Sequence, residues 1–267
     1  MLKKTILSSP FGPFVRKSAS LIRIIIQRLK GNYTNLAHYI SALPDKSQIV
    51  QIGSNDGRTG DPIYDLINHK QTWDALLVEP IPYLFDRLKA NYGTSPRLKF
   101  ANVAIKDTED EREEIPFFFV DPRAKEIIPD LPAWYDQLGS FSREHAAYSP
   151  IGELIKPYIK ETQVNCATLR ELMNVHEIKR IDLLHIDAEG YDWKILSQLD
   201  LSEAPPKVIL YEHKCLTNTE KSSARRFLQE HYSLYELGGD TLAIRKHANK
   251  AVQSTLWSLR SKRVTDL

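Results

Sequence analysis

Two short polar segments, each closing an apolar run, carry side chains able to do chemistry. His185-Ile186-Asp187-Ala188-Glu189-Gly190 ends the run that starts at Ile181, and Glu212-His213-Lys214 ends the run that starts at Lys207. Carboxylates and an imidazole are the groups that take a proton from a weakly acidic hydroxyl or hold a divalent cation. If the two runs are adjacent strands, their ends bring Asp187 and Glu189 close to Glu212 and His213. Asp187 is the hardest to account for structurally, because a carboxylate ending a buried strand needs a partner. The others have simpler readings. His185 alternates with Asp187 and can be a hydrogen-bonded core histidine. Glu189 can open the following helix, where a negative charge is favourable.

A third segment, Gly53-Ser54-Asn55-Asp56-Gly57, follows the apolar run Gln48–Ile52. A dinucleotide site would read G-x-G-x-x-G, its middle glycine letting the backbone approach a pyrophosphate. Asn55 takes that middle position and Asp56 would repel phosphate, so NAD and FAD are disfavoured. The Tyr-x-x-x-Lys pair of a sugar epimerase or reductase is also absent from the chain. The same turn suits a cofactor without phosphates. Gly53 and Gly57 permit a tight turn, and Asn55 and Asp56 offer polar groups to an amino acid's ammonium and carboxylate. Glu79, with Pro80 after it, is placed to accept hydrogen bonds from ribose hydroxyls, and Asn102 to Ala104 can flank a purine. Together these features suggest S-adenosylmethionine, with Gln51 and Asp187 completing the expected cofactor set.

These groups need a scaffold that gathers strand ends. Strand-like runs at Gln48–Ile52, Ala75–Glu79, Leu98–Asn102, Ile181–Ile186 and Lys207–Glu212 alternate with helical stretches. The helices start at Asp61-Pro62, run from Pro82 to Gly93, cover Gly190–Gln198 and lie near Thr219–Tyr232. Ser233–Leu237 and Thr241–Arg245 are joined across Gly238-Gly239-Asp240, a hairpin signal. The rhythm predicts an α/β fold with a mostly parallel sheet, finished by an antiparallel pair. Residues 107–167 interrupt it. Ile115–Val120 and Thr162–Ala167 can pair, and between them lie Trp134, Tyr135, Phe141, His145, Tyr148 and Tyr158. This stretch reads as an insertion capping the open edge of the site. The expected organisation is an extension over 1–46, a catalytic domain over 47–246 containing the cap, and a tail over 247–267.

The stretches IVQIGSNDGRTGDPIYDLI, LLVEPIPYLFDRLKANYG, FANVAIKD, IDLLHIDAEGYDWKIL and VILYEHKCL resemble the FkbM family of S-adenosylmethionine-dependent methyltransferases over roughly residues 47–245. The five motifs stand in the family's order, which is more specific than any one of them. The resemblance implies a seven-stranded Rossmann-like methyltransferase fold and methyl transfer to a hydroxyl of a sugar, glycan or secondary metabolite. It places Gly53, Asn55 and Gly57 around the methionine part of the cofactor, Glu79 on its ribose, and Asn102 and Ala104 near its adenine. The family more usually has alanine where Ser54 stands and lacks an acid at Asp56. WYDQLGSFSREH is similar to a segment found in a subgroup, and Gln137, Ser140, Phe141 and His145 are expected to meet cofactor or substrate. By similarity to metal-dependent sugar O-methyltransferases, Asp187, Glu212 and His213 would bind a divalent metal and Glu189 would be the base. The metal-free alternative uses His213 or Glu189 as base and Asp187 to orient the acceptor. Non-enzymatic binding on a methyltransferase fold is the competing reading.

Charge bears on partners. The net +2 is the sum of +7 over residues 1–44, which hold no Asp or Glu, and −5 over the rest. A net acidic body argues against nucleic acid, whose phosphates are met by Lys and Arg, and an Asn-Pro-Pro-Tyr-type tetrad is absent. Residues 14–30 read as a helix with a broad apolar face and one polar stripe. Arg23 and Gln27 interrupt its apolar run, which disfavours a membrane span or a signal peptide. A packed helix, a homo-oligomer contact and a peripheral membrane contact are the readings of this segment. Two widely spaced cysteines give no disulfide framework, so a cytoplasmic protein, alone or at the inner face of a membrane, is the expectation.

Overall fold

The structure, a computed structural model, describes Ile40 and residues 43–147 and 149–246. The expected helix over 14–30, the tail over 247–267 and Tyr148 lie outside the described residues. Five short apolar runs form the parallel part of a seven-stranded sheet: β1 (Gln48–Ile52), β2 (Asp74–Val78), β3 (Leu98–Ala101) and, after β4 (Ala104–Ile105), β5 (Glu114–Val120) and β6 (Ile159–Ala167), β7 (Leu183–Ile186) and β8 (Val208–Glu212). The last two strands, β9 (Tyr232–Leu237) and β10 (Asp240–Arg245), make the expected hairpin. The strand order is β3-β2-β1-β7-β8-β10-β9, with β10 antiparallel to β8. This is the seven-stranded methyltransferase sheet that the motifs implied.

Helices cover both faces, so the central strands are apolar on both sides. Every residue of β7 and β8 is buried. Alternation divides each strand between two cores. Val50, Ile52, Leu184, Ile186, Ile209 and Tyr211 pack on one face, and Ile49, Leu77, Leu183, Leu210 and Trp73 on the other. Burying a side chain of this kind stabilises by about 1.5–3 kcal/mol, which fixes strand register and therefore the position of every strand end. At the amino-terminal edge, Asp182 accepts the Gln48 N–H at 2.8 Å and pairs with Lys207 at 2.6 Å, tying β1 to the entries of β7 and β8.

Several elements begin or end differently from the pattern. The helix after β1 covers Tyr64–His69, and Asp61 Oδ1 accepts the Ile63 and Tyr64 N–H groups ahead of it. The helix expected from Gly190 starts only at Asp192, since Glu189 (φ 45°) and Gly190 (φ 94°) are both left-handed. The helix after β8 covers Asn218–Gln229 behind a capping box of Thr217 and Glu220.

The interrupted region builds a second sheet, β4-β6-β5. β5 and β6 pair antiparallel with Ile115 opposite Val164, while Ala104 and Ile105 pair parallel with Cys166 and Ala167. The segment between β5 and β6 folds over its own core of Val120, Leu131, Tyr135, Leu138 and Ile155. Among the described residues no helix is long and apolar enough to cross a membrane.

Candidate active site

β1, β2, β3, β7 and β8 run parallel, so their carboxyl ends gather at one edge. Neighbouring chain order reverses between β1 and β7, the place where open α/β sheets bind ligands. A cleft lies there. Gly53 and Asn55 line it after β1, Glu79 and Pro80 after β2, Val103 and Ala104 after β3, and Asp187 and Glu189 after β7. The cap closes it with Phe117, Gln137, Gly139 and Phe141.

The turn after β1 is built by backbone demands. Gly53 has φ +80°, and a Cβ there would stand 1.8 Å from the Asp187 carbonyl oxygen, so only glycine lets the ends of β1 and β7 approach. The Ser54 hydroxyl donates to the Gln51 carbonyl and accepts the Val78 N–H, fastening β1 to β2; this is what serine adds where the family more usually has alanine. Asn55 is left-handed (φ 50°), which turns its N–H onto Glu79 Oε2 at 2.8 Å, while Glu79 Oε1 accepts the Ile81 N–H at 2.9 Å. Burial pushes the Glu79 carboxyl up to about 7, despite the two N–H donors that favour its charged form.

Other residues expected at the cofactor do different work. Asp56 folds back on its own loop, accepting the Arg58 and Thr59 N–H groups and the Thr59 hydroxyl, so it offers the cleft nothing. Gly57 faces the Pro82–Tyr92 helix, where a Cβ would stand 2.4 Å from Leu88 and 2.7 Å from Tyr92. Gln51 is buried beneath the turn and donates to Asp61 Oδ2 at 2.9 Å. Asn102 donates to the carbonyls of Glu79 and Pro80, bracing the β2 loop rather than lining the cleft. In each case the residue type was legible and the side chain's direction was not.

At the acceptor end, Phe141 lies against Tyr191 at 4.6 Å and Phe117 at 5.1 Å between ring centroids, an aromatic wall beside the acids. Gln137 lines the cleft and donates to the Thr59 carbonyl. Ser140 is buried and pairs through its backbone with Phe118, away from the cleft. His145 sits on the short Arg143–Ala146 helix, its ring beside Gly190, where a Cβ would meet it at 3.1 Å.

The acids after β7 and β8 converge, and His213 does not join them. Glu212 and His213 are successive residues of extended chain, so their side chains leave in opposite directions. His213 Nδ1 pairs with the Thr241 hydroxyl at 2.9 Å on β10, and the charges around it are those of Glu236, Lys221 and Arg225. The expected metal set Asp187, Glu212 and His213 is therefore not assembled. His185 is a buried core residue whose imidazole burial lowers to about 4, keeping it neutral.

What surrounds Glu212 instead is Glu189, Asp192, Lys214 and Cys215. Lys214 pairs with Glu212 Oε1. Asp192, fully buried, accepts the Glu212 N–H at 3.1 Å. Burial, with Glu212 and Asp187 nearby, holds Glu189 and Asp192 well above the ordinary carboxylate range, and burial beside Asp187 pushes Glu212 up to about 7. Asp187 Oδ1 is buried and has no hydrogen-bond partner among the described residues. Sequence reasoning missed Asp192, Lys214 and Cys215. Local spacing finds ligands from one loop, whereas here the groups come from two strand ends 26 residues apart.

Comparison with known proteins fits this arrangement. A family model described as the methyltransferase FkbM domain matches residues 51–235. Similar solved structures include a TehB-like SAM-dependent methyltransferase from Corynebacterium glutamicum, 14% identical with a TM-score of 0.35 over 85% of this chain and 97% of that one. An O-methyltransferase from Bacillus cereus in complex with SAH is 13% identical, TM-score 0.38, over 81% and 80%. A Methanococcus jannaschii fibrillarin pre-rRNA processing protein is 8% identical, TM-score 0.38, over 75% and 67%. Comparison with curated proteins finds no match. With the family model spanning most of the sheet and both acid-bearing strand ends, the chain belongs to the FkbM methyltransferase family, and it is an S-adenosylmethionine-dependent methyltransferase.

Proposed function

We propose that the protein transfers the methyl group of S-adenosylmethionine to a hydroxyl oxygen of a sugar, glycan or secondary metabolite. The observation that carries this reading is Asp187 Oδ1, a buried and unpartnered carboxylate oxygen of a residue that lines the same cleft as Glu79. The fit to the cofactor rests on the chain's own groups. Glu79 has a second lone pair on each oxygen to accept ribose hydroxyls, Gly53 and Asn55 border the amino acid part, and Val103 and Ala104 form an apolar slot for the adenine. Bound there, the cofactor supplies a methyl group on an activated sulfonium.

The residues supply the rest. Phe141, Tyr191 and Phe117 hold a sugar ring or aglycone by its apolar face. Asp187 accepts the acceptor's O–H and takes its proton, and Glu189 lines the other side of the hydroxyl's berth. Together the aromatic wall and the two acids hold the oxygen in one orientation, which is where most of the rate comes from in a displacement between two bound partners. A panel of sugars, glycans and phenolic or polyketide alcohols, incubated with the full chain and the cofactor, tests the reading. The expected product carries a new O-methyl resonance, and Asp187→Asn lowers kcat by about 10²–10⁴. A methyl group found on nitrogen or carbon, or full activity in Asp187→Asn, would overturn it.

A further inference from the structure

Glu189, which lines the cleft, and Glu212 and Cys215 behind it each present a ligand atom within 4.8 Å of the other two. Three features distinguish this group from an incidental patch of acids. Glu212 is only 3% exposed, yet its Oε2 has no hydrogen-bond partner among the described residues; Lys214 occupies the other oxygen, Oε1. Asp192 is 0% exposed, with its Oδ1 on the Glu212 N–H and its Oδ2 unpartnered. The Cys215 thiol points inward, 3.7 Å from Glu189 Oε2. Four carboxylates (Asp187, Glu189, Asp192 and Glu212) thus share the charge of one lysine, and three of them, Asp187, Asp192 and Glu212, keep a buried oxygen unspent. Leaving a buried acceptor unmade costs about 1–3 kcal/mol, more when it is charged, so the arrangement favours a second cation.

We propose that Glu189, Glu212 and Cys215 form a binding site for a divalent transition metal of the zinc and cobalt type. The donor set decides the metal. Two carboxylates alone would suit magnesium or calcium, but a thiolate selects softer ions. Binding replaces the thiol proton, which leaves to solvent, and the Glu212 Oε2 lone pair takes the second ligand position. Asp192 then acts through Glu212, holding that carboxylate by its backbone. Lys214 stays on Oε1, with its side chain 59% exposed. The site adjoins Asp187, so in the proposed reaction its ion lies beside the acceptor hydroxyl and makes that oxygen more acidic. That last role rests on the proposed function; the site itself does not.

The test is a titration of the purified full chain with cobalt(II) chloride, followed by near-ultraviolet and visible absorption. The expected result is a thiolate-to-cobalt charge-transfer band that saturates at one equivalent. Cys215→Ser, a near-isosteric change at a partly buried position, abolishes the band. Glu212→Gln weakens metal affinity by about 10–100-fold, and Lys214→Met strengthens it by removing a repelling charge. No band in the wild type, or a band that persists in Cys215→Ser, would overturn the proposal. Binding of S-adenosylhomocysteine to the same samples, followed by calorimetry, separates the two readings. A Cys215→Ser protein that binds the nucleoside but shows no cobalt band fails neither. A wild type that binds cobalt through Cys215 but never binds the nucleoside would sink the proposed function and leave the metal site standing.

Discussion

On the proposed ribose contact, Glu79 should make cofactor affinity depend on pH, and the size of the effect follows from its surroundings. Burial raises its carboxyl to about 7 in the free protein, against 4.5 ordinarily. Two ribose hydroxyls donating to the carboxylate stabilise only its charged form, so binding returns the group towards its ordinary value and expels the proton. Affinity for S-adenosylhomocysteine is then strong above pH 7 and weakens as the pH falls, because the proton must be removed first. With those two values, the dissociation constant at pH 5.5 is about 20-fold that at pH 7.5, and binding at pH 6 releases about one proton. Calorimetry at four pH values, each in two buffers of different ionisation enthalpy, reads both quantities. Glu79→Gln mimics the protonated acid. It should bind about 200-fold more weakly at pH 7.5 and lose the pH dependence. Because one of the Asn55 and Ile81 N–H groups then faces an amide NH₂, it should also lose about 1–3 kcal/mol of stability. A flat wild-type profile, or a slope that survives in Glu79→Gln, would refute the assignment of Glu79 to the ribose.

The remaining expectations address other parts of the molecule. Gly53→Ala should cost about 3 kcal/mol or more in chemical denaturation and abolish nucleoside binding, since its Cβ has no room beside the Asp187 carbonyl. His213→Ala should leave kcat within a few-fold and cost about 1 kcal/mol through the lost Thr241 contact; a collapse of kcat would return His213 to the chemistry. Asp61, Glu79 and Glu212 all have folded-state values near 7, above their unfolded ones. The stability they contribute is full below about pH 4 and is lost as the pH rises to 7, so the melting temperature of the ligand-free protein should fall between pH 5 and 7.5. Asp182→Asn should destabilise by about 1–3 kcal/mol without altering KM, because it weakens the bonds of a buried carboxylate to the Gln48 N–H and the partly exposed Lys207 at the sheet edge remote from the cleft.

The sheet was legible in the sequence because its strands are buried on both faces and so read as apolar runs bounded by turns. The motif at Gly53 and the acids at Glu79 and Asp187 were legible for a related reason: strand ends in such a sheet have only one edge to gather at. What was hidden was direction. Asp56 and Ser140 satisfy backbone groups of their own loops and Asn102 those of the loop after β2, and a sequence does not say which side chains a turn will consume. His213 failed on alternation, a rule available in advance but outweighed by likeness to an acid pair. Cys215 was passed over because its partners come from another strand. The aromatic residues of the cap divided similarly: Phe141 faces the site, while Tyr135 fills the cap's own core.

The cap is stitched to the body at many points. Its strand β6 pairs with β4, Arg87 holds Asp136 at 2.8 Å, Tyr83 donates to the Val120 carbonyl, and Gln137 reaches the Thr59 carbonyl. A cover fastened along both margins has no hinge line. In the proposed reaction the shape offered to the acceptor is then set by the mould of Phe117, Gln137 and Phe141 rather than by how far a flap can open. Recasting that shape is a task of carving those three side chains rather than of lengthening the loops between β5 and β6.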